Sequence, residues 1–187
     1  MDVEILEVVG DEVVTIEEVK QHLRIDHDLD DAYLLTLIQA ATEYCENATN
    51  RVLRPKRMAL YMNQFPKKRA LELSVHPVRE VDSVLYWNKE GDDCLVPATA
   101  YDALLTIEPA SLLAKISWPQ VPPQPGRVRI EVLAGFQSVP PSIRQAILLI
   151  CGHFYENREI VGDKYGNMQE LPLSVSALLS PYKRYRW

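Results

Sequence analysis

TIEEVKQHLRIDHDLDDAYLLTLIQAATEYCENATNRVL, Thr15 to Leu53, is the stretch whose reading decides the fold. It reads as a short capped helix, an acidic turn and a long amphipathic helix. Thr15 is placed to cap the first helix and Glu18 to reach back to it, which makes a capping box, with Val14 and Val19 where a hydrophobic staple belongs. The acidic run Asp26, Asp28, Asp30, Asp31 ends the first helix and starts the second. Asp30 or Asp31 is the expected cap, and its charge suits the positive end of the helix dipole. From there Leu34, Ile38, Ala41, Cys45, Ala48 and Val52 recur in alternating steps of four and three. They form one apolar stripe on a helix of roughly 20 residues, about 30 Å long. Such a stripe needs a partner, and the sequence offers one only far downstream.

That partner begins at Pro140-Pro141-Ser142, where proline suits the first helical position because its missing N–H has no bond to make there. Ile143, Ile147, Ile150 and Phe154 repeat the same stripe to about Arg158. Gly162 and Gly166 flank a polar loop, and a short helix is expected from Ser174 to Leu179, ended by Pro181. Between the two helical regions the period changes. Met58, Leu60 and Met62 alternate with other residues, and Leu71, Leu73, Val81, Val84, Leu85 and Tyr86 fall in short runs. Further runs are Tyr101 to Ile107 and Ala114 to Trp118. In Arg127 to Leu133, Val128, Ile130 and Val132 face one way and Arg127, Arg129 and Glu131 the other, as in a half-buried strand. Asn88 to Asp93 is a hairpin turn signal. Pro119, Pro122, Pro123 and Pro125 form a rigid surface loop.

The chain therefore reads as an α+β protein. Two N-terminal and two C-terminal helices form a small bundle, with a mostly antiparallel β module inserted between them. The expected boundaries are 1–54 for an N-terminal arm and the first two helices, 55–134 for the β module, 135–181 for the last two helices, and 182–187 for a C-terminal docking tail. Met1 to Val14 alternates loosely and reads as either a strand or an extended arm. The predicted bundle core is Leu34, Ile38, Ala41, Cys45, Ala48, Ile143, Ile147, Ile150 and Phe154.

With 187 residues, 47% hydrophobic and 25% charged, the composition is that of an ordinary globular protein. No apolar run approaches the ~20 residues that cross a bilayer, and the acidic start lacks the basic n-region of a signal peptide. Synthesis in the cytoplasm is the expectation. Cys45, Cys94 and Cys151 are far apart with no CxxC, which points to reduced thiols. The net charge of −6 argues against a protein that grips the DNA backbone over its whole surface. The end reverses the sign: Lys183, Arg184 and Arg186 interleave with Tyr182, Tyr185 and Trp187, the aromatic and arginine chemistry that interface hot spots use. A frayed end, a docking peptide and a nucleic-acid contact are all open for it.

The best metal candidate is the run from Asp26 to Asp31. It starts like an EF-hand loop, then places Asp31 where glycine is needed and Leu37 where a bidentate glutamate is needed. Helix capping accounts for it without a metal. His153 and Glu156 lie one helical turn apart, but a di-iron bundle needs two such pairs and two further glutamates. Glu156, Asn157, Arg158 and Glu159 read as polar contacts at a helix end or between subunits. His22 and His76 are isolated and read as surface or interface residues. No phosphate loop, dinucleotide fingerprint or nucleophile elbow is present. No catalytic, cofactor-binding or metal residue is assigned.

The first stretch resembles the N-terminal helices of the head–tail connector (adaptor, head-completion) proteins of long-tailed bacteriophages and gene-transfer agents. VPPSIRQAILLICGHFYENRE and LPLSVSALLSPYKRY resemble that family's last two helices, so the resemblance brackets the β module and spans nearly the whole chain. It implies a non-enzymatic virion protein with no cofactor, assembled in the host cytoplasm into the neck. It implies a ring, typically of twelve subunits, that docks on the portal protein and receives the next neck protein (stopper) or a tail component. Packaged DNA passes through the lumen without specific binding, which an acidic collar would favour by repelling phosphates. Tyr182, Lys183, Arg184, Tyr185, Arg186 and Trp187 match the end that in relatives reaches to the portal. Two other classes stand beside this reading. One is a metal-dependent nucleic-acid enzyme using Asp26, His27, Asp28 and Asp30. The other is a packaging or transcription regulator that binds DNA through the tail.

Overall fold

The computed structural model describes residues 1–157 and 172–184. The loop expected around Gly162 and Gly166, the contacts expected of Arg158 and Glu159, and Tyr185, Arg186 and Trp187 of the tail lie outside the described residues. The chain forms two compact units, each built from separated segments. One joins Met1–Asp11 to Arg54–Gln137, and the other joins Glu12–Leu53 to the chain from Ser138 onward.

In the helical unit, α1 (Ile16–Leu23) starts with the capping box. The Thr15 N–H donates to Glu18 Oε2 at 2.8 Å, and the Glu18 N–H donates to Thr15 Oγ1 at 3.3 Å. Val14 and Val19 are both fully buried. Arg24 closes the helix in the left-handed conformation. The long helix α2 (Asp31–Thr49) and α3 (Pro141–Glu156) pack together, with α4 (Leu173–Leu179) against α3. Leu34, Ile38, Ala41, Cys45, Ile143, Ile147 and Ile150 have no exposed surface. Ala48, Val52 and Phe154 are only half-buried. The buried face of α2 also takes in Leu37, Thr42 and Thr49, because 3.6 residues per turn do not keep a seven-residue stripe on one side. The two threonines are not orphaned inside: Thr42 donates to the Ile38 carbonyl at 2.7 Å and Thr49 to that of Cys45 at 2.6 Å.

The expected aspartate cap of α2 is not formed. Asp30 occupies the cap position without a side-chain hydrogen bond to the helix, and its carboxylate accepts from Tyr155 Oη at 2.7 Å. Tyr33 Oη donates to the Phe154 carbonyl at 3.4 Å. The first turn of α2 is thus fastened to the last turn of α3, and the acid serves a tertiary bond instead of a local one. Arg144 on α3 does the same for α1, donating to the Val13 carbonyl and the Glu18 carboxylate.

The β unit contains two antiparallel sheets. Strands β1 (Asp2–Val8), β2 (Lys56–Met62), β4 (Val78–Trp87), β5 (Asp93–Leu95) and β8 (Val128–Ala134) form one in the order β1-β2-β8-β4-β5. Strands β3 (Ala70–Glu72), β6 (Tyr101–Leu104) and β7 (Ser111–Ala114) form the other in the order β3-β7-β6. In the larger sheet Met58 faces Val132, and Leu60 faces Ile130, which in turn faces Val84. These pairs build its apolar face. On the opposite face Tyr61 lies beside Arg129 and Ala59 beside Glu131. Arg129 pairs with Glu131 at 2.7 Å and lies 6.0 Å over the Tyr61 ring.

The N-terminal segment is a strand, and Met1–Asp11 belongs with the sheet it pairs into. It therefore does not belong with the helices that a boundary at residue 54 would join it to. Two other expected runs are shorter or displaced. β6 stops at Leu104, and β7 is Ser111–Ala114 instead of Ala114 to Trp118. Trp118 leaves the strand to stack on Phe65 at 5.2 Å with parallel rings, while its indole N–H donates to the Arg69 carbonyl at 2.8 Å. His76, read as a surface or interface residue, is 2% exposed. The hairpin at Asn88–Asp93 is present, with Gly91 at φ +92°.

Gly135 shows a strict backbone demand. Its φ is +123°, and a Cβ there would stand 2.6 Å from the Arg54 carbonyl oxygen. Gly135→Ala should destabilise the protein by more than about 1 kcal/mol in urea unfolding, since both the conformation and the space are wrong for it. A second prediction concerns the thiols. Burial pushes Cys45 and Cys151 up to about 12 from an ordinary 9.0. The unfolded chain loses these protons near 9.0 while the folded chain keeps them, so their contribution is whole below pH 9 and is lost as pH rises toward 12. Urea midpoints should therefore fall between pH 8.5 and 10.5 in the wild type and fall less in Cys45→Ala/Cys151→Ala.

Candidate assembly interfaces

The acidic turn between α1 and α2 is an ion-pair hub. Lys20 on α1 reaches Asp28 Oδ1 at 2.6 Å and Asp31 Oδ1 at 2.5 Å. The Asp28 carboxylate first, then that of Asp31, holds the Lys20 ammonium above its ordinary range. Lys20 in turn holds Asp28 below the usual carboxylate range. With Asp30 taken by Tyr155, the four residues proposed as ligands do not converge on a common point. Among the described residues no group of three or more His, Cys, Asp or Glu side chains is arranged to hold a metal ion. Asp26 and His27 belong to the exposed part of this turn, and Leu29 at its tip is 91% exposed. His153 is half-buried beside the Phe154 ring, and Glu156 is exposed.

The C-terminal segment is docked as far as it is described. A 3₁₀ turn, Ser180–Tyr182, follows α4 directly. Val175 and Leu179 are buried. Arg51 Nε donates to the Tyr182 carbonyl at 2.9 Å, and the Arg184 N–H donates to the Thr49 carbonyl at 3.0 Å. The last turn of α2 leaves carbonyls without helical partners, and the tail supplies a donor to one of them. Asn50 caps the same end in the left-handed conformation, and Glu46 accepts from the Leu53 N–H at 2.8 Å. The sequence showed the tail's chemistry but not this anchor, because Arg51 and Thr49 look like ordinary helix-end residues.

β1 is the surface whose full extent the sequence did not reveal. All seven of its residues are exposed, Val3, Ile5, Leu6 and Val8 among them. Among the described residues no helix is long and apolar enough to cross a membrane. Titration of the protein with magnesium, manganese and calcium should give no binding heat and no shift in melting temperature, since Lys20 already holds Asp28 and Asp31 and Tyr155 holds Asp30.

Comparison with known proteins bears on these surfaces. Residues 13–94 match the family of phage gp6-like head-tail connector proteins. No curated protein matches the chain. Among solved structures, a chain in the neck of an empty GTA particle, computed with C6 symmetry, aligns with a TM-score of 0.82 at 23% identity. A chain in the neck of a native GTA particle, computed with C12 symmetry, and one in the virion of a native gene transfer agent particle each align at 0.79 and 23%. Each alignment covers 100% of this chain and 97% of the other. The first helical block lies inside the family match, whereas the blocks around α3 and α4 share only the fold of the neck chains. The resemblance read from the sequence is thus supported from two sides: the chain is similar to the phage gp6-like head-tail connector proteins over residues 13–94, and to chains of the gene-transfer-agent neck in fold along its whole length.

Proposed function

We propose that this chain is a structural subunit of a phage-type neck. Copies form a ring, twelve in the particle, that docks on the portal protein, carries the stopper or a tail component below, and leaves a lumen for DNA. The observation that carries this reading is end-to-end agreement in fold with chains of a particle neck, together with the connector match over residues 13–94. A structural ring requires no catalytic group, and the polar clusters described above are committed to one another. An acidic subunit with net charge −6, repeated around a ring, repels phosphates and lets DNA slide.

The basic-aromatic end from Tyr182 to Trp187 is the portal-docking element in this reading. Its described part is held on the end of α2, which lowers the ordering cost of presenting the rest. Deleting residues 185–187 should leave a folded protein that no longer binds the portal. Deleting residues 182–187 should also cost about 1–3 kcal/mol, because it removes the partners of Arg51 and Thr49. Particles that assemble normally with the shorter deletion would reject the role of the tail. Electron microscopy of particles carrying a tagged copy tests the wider reading, with the label expected at the neck and a label elsewhere refuting it.

A further inference from the structure

We propose that β1 is the seam by which one copy meets the next, and that it receives the Lys67–Arg69 turn and the outer edge of β3 from a second copy. The proposal rests on the ring reading above.

The argument begins with what β1 leaves open. Among the described residues it pairs with β2 alone, at the end of the sheet order. Val3 and Ile5 lie opposite Leu60 and Met58, so the apolar face of the sheet runs out onto a strand left exposed by the described residues. Proteins normally guard such an edge with short strands, lysine, proline or a covering element. Here the strand has seven residues and its guards are Asp2, Glu4, Glu7 and a bulge between Ile5 and Glu7. Acids at these positions oppose a symmetric β1-to-β1 pairing, because like charges opposite one another on adjacent strands destabilise the pair. A partner strand must therefore bring positive charge.

Each of the molecule's other sheet edges carries one acid, Asp93 on β5, Asp102 on β6 and Glu72 on β3, so the difference lies in what leads into them. Only β3 is entered through basic residues. Lys67, Lys68 and Arg69 are the one run of three consecutive cations in the sequence, and all three are exposed. β3 pairs with β7 on one side, at the end of its own sheet. Arg69 Nε donates to the Ala114 carbonyl at 2.7 Å, which fixes the turn. Lys68 pairs with Glu72, and both side chains are more than half exposed, so the pair is readily exchanged. Two different patches on each copy make the contact head-to-tail, the kind that closes into a ring by rotation.

The test uses the full chain in two charge variants, Glu4→Lys/Glu7→Lys and Lys67→Glu/Lys68→Glu. Each alone sets like charges across the seam and should weaken self-association at low salt, read by sedimentation, by about tenfold or more. An equal mixture should recover it, because each variant then meets the opposite charge on both of its sides. Carbodiimide coupling of mixed light and nitrogen-15 wild type should join the segment 2–8 of one copy to 67–69 of another, in concentrated solution or in particles. Absence of that intercopy link, wild-type association by either variant alone, or a mixture that stays apart overturns the seam. The tagged-particle experiment reads the neck role separately. A label at the neck without the link defeats only the seam, and a link without the neck label defeats only the neck.

Discussion

Closure of α2 on α3 is the contact on which the rest of the helical unit depends. Seven side chains of the two stripes are removed completely from solvent, and burial of apolar surface is worth about 25 cal/mol per Å². The polar bonds around it do a different job. Tyr155 to Asp30 and Tyr33 to the Phe154 carbonyl set which turn of one helix meets which turn of the other. Arg144 fixes the start of α1 to the same helix. Burial supplies the driving force, and these bonds supply the register.

Much of this was legible in the residues. The capping box needs only Thr15, Glu18 and their spacing. The two stripes need only the helical period, and the alternation of Val128, Ile130 and Val132 marks β8 without ambiguity. The less legible features all depended on partners distant in sequence. Asp30 looks like a cap because nothing near it reveals Tyr155. Ala48 and Phe154 fit the period but are only half-buried, at the edge of the stripe. Trp118 looks like the end of a strand, and it is drawn out of line by Phe65. Local rules read local bonds well and fail where a distant ring or hydroxyl offers a better one.

The same limit governed the candidate interfaces. The tail's lysine, arginines and aromatic residues announce a contact surface from composition alone. Its anchor on Thr49 and Arg51 depends on the path of α4, which composition cannot supply. β1 was the harder case. A loosely alternating acidic segment is equally good as an arm or a strand, and its meaning changes once it is the outermost member of a sheet. An edge is a property of topology, and no single residue encodes it.

Because both units are assembled from separated pieces of chain, neither can finish while the polypeptide is still short. α2 leaves the ribosome with its greasy side bare, and its companion is translated only after the whole of β2 to β8. β1 likewise waits for β2 across both early helices. Contacts so distant along the chain demand large loop closures before they reward the search, which slows folding and prolongs exposure of sticky surface. Crowded ribosomes making many copies at once would put such nascent chains at risk of premature clumping, a risk that the like net charge of −6 on every copy opposes.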